Sequence, residues 1–139
     1  MQNIRVFCDG ACSGNPGRGA WGYIVIDQLG RQLFSGSGFE RFTTNNKMEL
    51  TAVIEALTLL NDIEVVLDSK YVMDGITSWI HGWKKNNWKT KSGLVKNLDL
   101  WKKLDSLVLE KKIKWQWQKG HNNSLHDYVD KLARESILA

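Results

Sequence analysis

The sequence predicts an α/β fold: a five-stranded mixed sheet, an antiparallel meander extended by parallel strands, flanked by helices. Three observations predict it. Residues 3–41 hold three β-type segments joined by short connections, which allow only antiparallel pairing. From about residue 46 the apolar period changes to that of a helix. Each later β-type run then follows a helix, the arrangement that parallel pairing with helices on both faces requires.

Taken in order, Ile4, Val6 and Phe7 mark a strand over Asn3–Asp9. Gly10–Gly22 is rich in glycine and reads as a turn-bearing loop. A second strand spans Trp21–Ile26 and a third Arg31–Arg41, with Leu29-Gly30 as the hairpin signal. Leu50, Val53, Ile54, Leu57 and Leu60 recur at helical spacing over Asn46–Leu60, with Thr43, Thr44 and Asn45 as candidate caps. The β-branched run Ile63–Leu67 is the fourth strand. A helix over Ser69–Thr77 follows, then a short helix and basic loop over Trp79–Lys91, and an amphipathic helix over Leu98–Val108. Ile113, Trp115 and Trp117 alternate with Lys114, Gln116 and Gln118 in a half-buried fifth strand, and Ser124–Ile137 is the last helix.

The 139 residues suit one domain over 1–139, with no internal repeat and no linker. Hydrophobic residues are 42% and charged residues 24%, which excludes a disordered or collagen-like chain. No apolar run reaches the ~18 residues of a membrane span, and Met1–Val6 lacks a signal-peptide core. Cys8 and Cys12 are expected to be free thiols in a reducing cytoplasm. Charge is segregated. Residues 1–83 carry net −3, residues 84–119 carry 11 Lys against 3 acids for net +8, and residues 120–139 carry net −1. Six of the seven Trp lie in residues 79–117, and a basic segment studded with aromatics suits a polyanion that also presents sugars and bases. Lys84, Lys85, Lys89 and Lys91 with Trp83 and Trp88 are its candidate contacts, while Trp115 and Trp117 read as core.

Asp9 and Asp68 end strands whose carboxyl ends lie together in an open α/β sheet, where such sheets place their sites. Glu49 falls in the first turn of a helix, and Asp130 stands beside the inward-facing Val129. Four converging acids require cations, and hard oxygen ligands select Mg²⁺ or Mn²⁺. Plainer roles are open to each: a turn-forming Asp, a Glu at a helix N-terminus, an Asp130–Arg134 ion pair.

The flanking residues add more. The run Asp9-Gly10-Ala11-Cys12-Ser13-Gly14-Asn15-Pro16-Gly17-Arg18-Gly19-Ala20-Trp21-Gly22 resembles the opening signature of type 1 ribonuclease H. So do Thr43-Thr44-Asn45-Asn46-Lys47-Met48-Glu49-Leu50, Asp68-Ser69-Lys70-Tyr71-Val72, Gly75-Ile76-Thr77-Ser78-Trp79-Ile80, Trp83-Lys84-Lys85, Trp88-Lys89-Thr90, Asn97-Leu98-Asp99-Leu100-Trp101, Lys119-Gly120-His121 and Asp130-Lys131-Leu132-Ala133. The matches follow one another in order along nearly the whole chain, and resemble the bacterial catalytic domain with its basic protrusion.

The resemblance implies a ribonuclease H-like fold and an endoribonuclease that cuts the RNA strand of RNA/DNA hybrids with two Mg²⁺ (Mn²⁺ substituting), leaving 5′-phosphate and 3′-hydroxyl ends. It implies that Asp9, Glu49, Asp68 and Asp130 are the metal ligands, and that His121 assists proton transfer or product release. Asn15, Asn45 and Asn46 match residues that read the minor groove and the 2′-hydroxyls. Thr44 and Asn97 match a pocket for a DNA phosphate, and Tyr71, Trp79 and Trp83 match the surface that packs on DNA sugars. A cytoplasmic monomer is expected. Two other classes fit less well. A non-catalytic hybrid-binding module gains nothing from four acids facing a phosphate backbone, and an integrase or resolvase of related fold has no use for 2′-OH readers. The chain departs from the pattern at Phe42, where an Arg of the phosphate pocket is usual, at Leu67, and at His126, where Asn is usual one helical turn before Asp130.

Overall fold

The computed structural model describes residues 4–120 and 123–135. Strands β1 (Arg5–Ser13), β2 (Gly17–Ile26) and β3 (Gln32–Thr43) form the expected antiparallel meander. Helix α1 (Asn45–Leu59) follows, and then β4 (Asp62–Leu67), which pairs with β1 in parallel. After the helical segment α2 (Lys70–Asp74) to α3 (Ile80–Lys85), a small hairpin of β5 (Lys89–Thr90) and β6 (Gly93–Leu94) precedes α4 (Leu98–Val108). Strand β7 (Lys112–Trp117) adds in parallel to β4, and α5 (Asn123–Glu135) closes the described chain. The main sheet runs β3-β2-β1-β4-β7, five strands of mixed sense as expected.

The glycine-rich segment differs from its sequence reading. It is not a loop over residues 10–22: β1 continues to Ser13 and β2 begins at Gly17, leaving a turn at 14–16 with a cis Asn15-Pro16 peptide. Gly10 and Gly22 stand within strands, where a close neighbour excludes a side chain. A Cβ at Gly22 would lie 2.8 Å from Val129 Cγ2, and one at Gly10 would strike the backbone of α1. The helical reading of 69–91 is corrected as well. The two expected helices form one continuous path, in which a π turn (Gly75–Trp79) joins α2 to α3. Gly75 opens that turn against Trp101, whose Cζ2 would be 2.5 Å from an added Cβ.

The sheet has two covered faces, and strand alternation sorts its residues between them. Val6, Cys8, Val25 and Val65 face α1 and α4, whose Leu50, Val53, Leu57, Trp101 and Leu104 are fully buried. Phe7, Ala11, Ala20 and Val66 face α5 through Leu125, Val129 and Ala133. Burial of Leu125 and Val129 stabilises by roughly 1.5–3 kcal/mol each, enough to seat α5 and everything it carries. Trp115 is half-buried as expected, but Trp117 is 38% exposed and is not a core residue. Among the described residues no helix is long and apolar enough to cross a membrane.

Candidate active site

The parallel pairing of β1 with β4 ends at Cys8 opposite Leu67. Asp9 and Asp68 are the residues that follow this last pair, Asp68 just past the end of β4, where neighbouring strands lie about 4.8 Å apart. By alternation Asp9 belongs to the α5 face, with Phe7. Asp9 itself is not a strand end, as the sequence suggested; what ends there is the parallel ladder, while pairing with β2 continues to Ser13. Glu49 reaches the same place from α1. Its helix starts one residue after the Thr44 cap, whose Oγ1 accepts from the Lys47 N–H at 3.2 Å, so Glu49 sits in the second turn and not the first. Its Oε1 accepts from the Gly10 N–H at 2.6 Å, which explains why position 10 must be close to α1. Asp130 comes from α5. Asp9, Glu49, Asp68 and Asp130 line one cavity of about 410 Å³, together with Cys12, Asn45, Ser69 and His126.

Electrostatics mark this cavity. Burial pushes the Glu49 carboxyl well above the usual Glu range; repulsion from Asp9 adds to it, as does Asp68, while the Gly10 N–H works the other way. The residue keeps some surface open to solvent, but its carboxyl lies against Gly10 and Asp9. Asp9 is 4% exposed. His126 Nδ1 lies 2.9 Å from Asp9 Oδ2, and that bond raises the imidazole pKa against partial burial, helped by the charges of Asp9, Asp130 and Asp127. Asp130 Oδ2 accepts from Arg134 Nε at 3.1 Å, so the plain ion pair foreseen for it exists while Asp130 also lines the cavity.

Among the described residues no three His, Cys, Asp or Glu groups are gathered closely enough to enclose a metal ion. The donor set nevertheless suits one. Four carboxylates around one cavity, one of them pushed toward its protonated form by burial and by the charges of Asp9 and Asp68, are relieved by a hard divalent cation with oxygen preference.

The remaining candidates fall into two groups. At the cavity, Asn15 Oδ1 accepts from the Asn45 N–H at 3.1 Å and ties the β1–β2 turn to the start of α1, where Asn45 and Asn46 are both exposed. Farther along, the Tyr71 hydroxyl accepts from Asn97 Nδ2 and Trp101 Nε1, each at 3.0 Å. Asn97 holds a left-handed φ of 60°. Trp79, 44% exposed, is the outer ring of an aromatic array in which Trp83 lies 6.0 Å from Trp79 and 5.1 Å from Trp101. Lys84 Nζ pairs with Asp105 Oδ1 at 3.2 Å, and Lys85 is exposed. A second cavity of about 690 Å³ is lined by Asn97, Lys47 and Phe42, the last 76% exposed; Thr44 does not line it. His121 lies outside the described residues.

Sequence reasoning assigns Trp117 no role at the site. Its Nε1 donates to the Asp68 carbonyl at 2.9 Å, and Lys70 Nζ sits 4.3 Å from the centre of its ring. Its position at the carboxyl end of β7, level with Leu67, is the signal that would have found it.

The RNase H family model matches residues 1–137. The chain belongs to the ribonuclease H family. A ribonuclease H of Janthinobacterium sp. (strain Marseille) is 47% identical over 99% of this chain and 97% of its own length. Among solved structures, LC9-RNase H1, a type 1 RNase H with the type 2 active-site motif, has a TM-score of 0.80 at 31% identity, covering 98% of this chain and 72% of that one. LC11-RNase H1, solved in complex with an RNA/DNA hybrid, has a TM-score of 0.76 at 22% identity over 99% of this chain and 100% of its own, a likeness of fold. The ribonuclease H fold and family expected from the sequence are both borne out.

Proposed function

We propose that this chain carries out the ribonuclease H reaction, endonucleolytic hydrolysis of the RNA strand in RNA/DNA hybrids, at the cavity shared by Asp9, Glu49, Asp68 and Asp130. The observation that carries the reading is the convergence of these four carboxylates from β1, α1, β4 and α5 on one cavity in a chain of this family. They are the residues that would hold two Mg²⁺, with Mn²⁺ as a substitute. Bound there, the cations supply Lewis-acid stabilisation of the charge that develops on the phosphodiester.

The chain's own groups do the rest. The Gly10 N–H fixes the orientation of Glu49. Asn15, Asn45 and Asn46 face the RNA strand and read its 2′-hydroxyls, the chemical mark that separates RNA from DNA. Tyr71, Trp79 and Trp83 pack on deoxyribose. Thr44 and Asn97 hold a DNA phosphate, with Thr44 also capping α1, and Lys84 and Lys85 neutralise phosphates. His121 serves proton transfer or product release. The same reading takes residues 1–139 as one ribonuclease H domain, a monomer acting in the cytoplasm.

The test uses end-labelled RNA/DNA, RNA/RNA and DNA/DNA duplexes, each with Mg²⁺ or with EDTA. The expected result is cleavage of the hybrid's RNA strand alone, only with Mg²⁺, yielding 5′-phosphate and 3′-hydroxyl ends. Asp9→Asn should abolish cleavage and keep hybrid binding, because one charge is removed at a central ligand. Turnover of this variant within about tenfold of wild type would sink the metal assignment, since loss of one aligned catalytic charge typically costs ~10²-fold or more.

A further inference from the structure

Arg18 stands apart from every role described so far. Its Nε is the one buried side-chain nitrogen or oxygen, among the described residues, that has no hydrogen-bond partner. A guanidinium N–H withdrawn from water without a partner is a costly state, so each such group in a folded protein requires an explanation. Nor does Arg18 take part in any ion pair among the described residues.

Its position says which ligand. Ser13 of β1 pairs with Arg18 of β2, Ala11 with Ala20, and Asp9 with Gly22. Ala11 and Ala20 belong to the sheet face that α5 covers. By the two-residue alternation of strands, Arg18 lies on the same face as Asp9. Four residues of strand separate Ser13 from Asp9, so Arg18 is displaced by ~13 Å along β1 from the carboxylates, the span of a few nucleotides. Arg18 also flanks the turn that presents Asn15 beside the start of α1. Tyr71 and Trp101, by contrast, pack with the opposite face of the sheet. The strand that crosses Asp9 is the one being cut, and Arg18 lies on Asp9's side of the β1–β2 pair, next to the turn that carries Asn15, a reader of that strand.

We infer that Arg18 is a substrate-binding residue that grips a backbone phosphate of the RNA strand, a few nucleotides from the scissile bond, through its guanidinium. The inference rests on the proposed ribonuclease H reading, since it takes the RNA strand to lie across Asp9. A planar fork of donors suits a phosphodiester, whose two free oxygens accept in parallel.

The experiment measures hybrid binding in EDTA, where nothing is cleaved, across roughly 50 to 200 mM salt. Arg18→Ala should raise Kd about five- to eightfold at ~0.1 M salt and lower the log–log salt slope by about 0.7–0.9, the share of one phosphate contact. Arg18→Lys should restore the slope, because the charge remains. Hybrids with single neutral methylphosphonate linkages then locate the contact. Wild type should lose the same factor at one linkage of the RNA strand, and Arg18→Ala should be indifferent to that linkage. An unchanged Kd and slope in Arg18→Ala, with an unchanged melting temperature, overturns the inference. Sensitivity confined to linkages of the DNA strand overturns it as well. Wild-type protein that neither cuts nor prefers the hybrid fails the functional reading itself, a result distinct from either of these.

Discussion

Gly10→Ala adds one methyl group where β1 meets α1, and its cost follows from the geometry there. The new Cβ would lie 2.5 Å from the Met48 carbonyl carbon and 2.8 Å from its oxygen, with the Glu49 nitrogen also in the way. Ordinary contact begins near 3.4 Å. Helix backbone cannot rotate aside as a side chain can, so α1 must retreat by roughly 1 Å, and Glu49 retreats with it from its 2.6 Å bond to the Gly10 N–H. A misplacement of ~1 Å costs about 10²-fold in rate, and the overpacking costs about 1–3 kcal/mol, or of order 5–10 °C in Tm. Gly19→Ala is the control. Its Cβ would meet side-chain atoms first, the Thr43 methyl and Met48 Cγ at 2.9 Å, and the Ala11 carbonyl at 3.0 Å is the one backbone atom among the three nearest. It should lose stability while keeping kcat within about tenfold, because no backbone atom of α1 is among its three nearest contacts. Steady-state cleavage of a labelled hybrid and thermal melts on both variants separate the two effects. A Gly10→Ala enzyme with kcat within about threefold of wild type would refute the claim that this close approach sets the position of Glu49.

Two further outcomes follow from charge. Glu49 has a folded-state pKa raised by burial and by Asp9, so the folded protein holds a proton that the unfolded chain releases. That stability is present below the ordinary Glu value of about 4.3 and is lost as pH rises through the raised value; His126, raised by its bond to Asp9, acts in the same sense above about 6.5. Metal-free wild type should therefore lose stability as pH rises above about 5, and Glu49→Gln should show a flatter profile; parallel melting curves in EDTA would contradict this. In the basic segment, replacing Lys84, Lys85 and Lys89 with Ala should lower the salt slope of hybrid binding by about 0.7–0.9 for each phosphate left without its lysine. Lys84 must give up Asp105 to reach a phosphate, so Lys85→Ala alone should weaken binding more than Lys84→Ala alone, and the reverse order would remove Asp105 from the account.

Much of this arrangement is legible in the chain, and the failures share a cause. The meander, the apolar face of α1, its Thr44 cap and the alternation of β7 are local patterns, each written in consecutive residues. The four carboxylates are found through their flanking motifs; spacing alone leaves each with a plainer role, and Asp130 does have Arg134 as a partner. What local pattern cannot express is who comes close from elsewhere. Gly10 and Gly22 look like turn residues until α1 and Val129 are seen above them. Trp117 looks like core by alternation, but its indole is turned to the Asp68 carbonyl and carries the Lys70 ammonium over its ring. Periodicity places Glu49 in the first turn and not the second because a helix start read that way is uncertain by a residue or two, here Asn46 against Asn45. Arg18 carries no signal in sequence, since an orphaned donor exists only once neighbours have taken away its water.

Strand β7 is the last of the sheet, bonded to β4 on one side and, among the described residues, open on the other. Its free edge offers unpaired amide and carbonyl groups to any passing strand, including those of another copy. Lys112 and Lys114 are exposed on that strand, on either side of Ile113 and before Trp115. Two like charges at alternate positions make edge-to-edge association of identical chains repulsive. Part of the positive charge concentrated in residues 84–119 thus opposes edge pairing, at a site set by the sheet rather than by the substrate. Exchanging these two lysines for Val would leave the cavity and its carboxylates as they are, and would turn the edge into a template for aggregation.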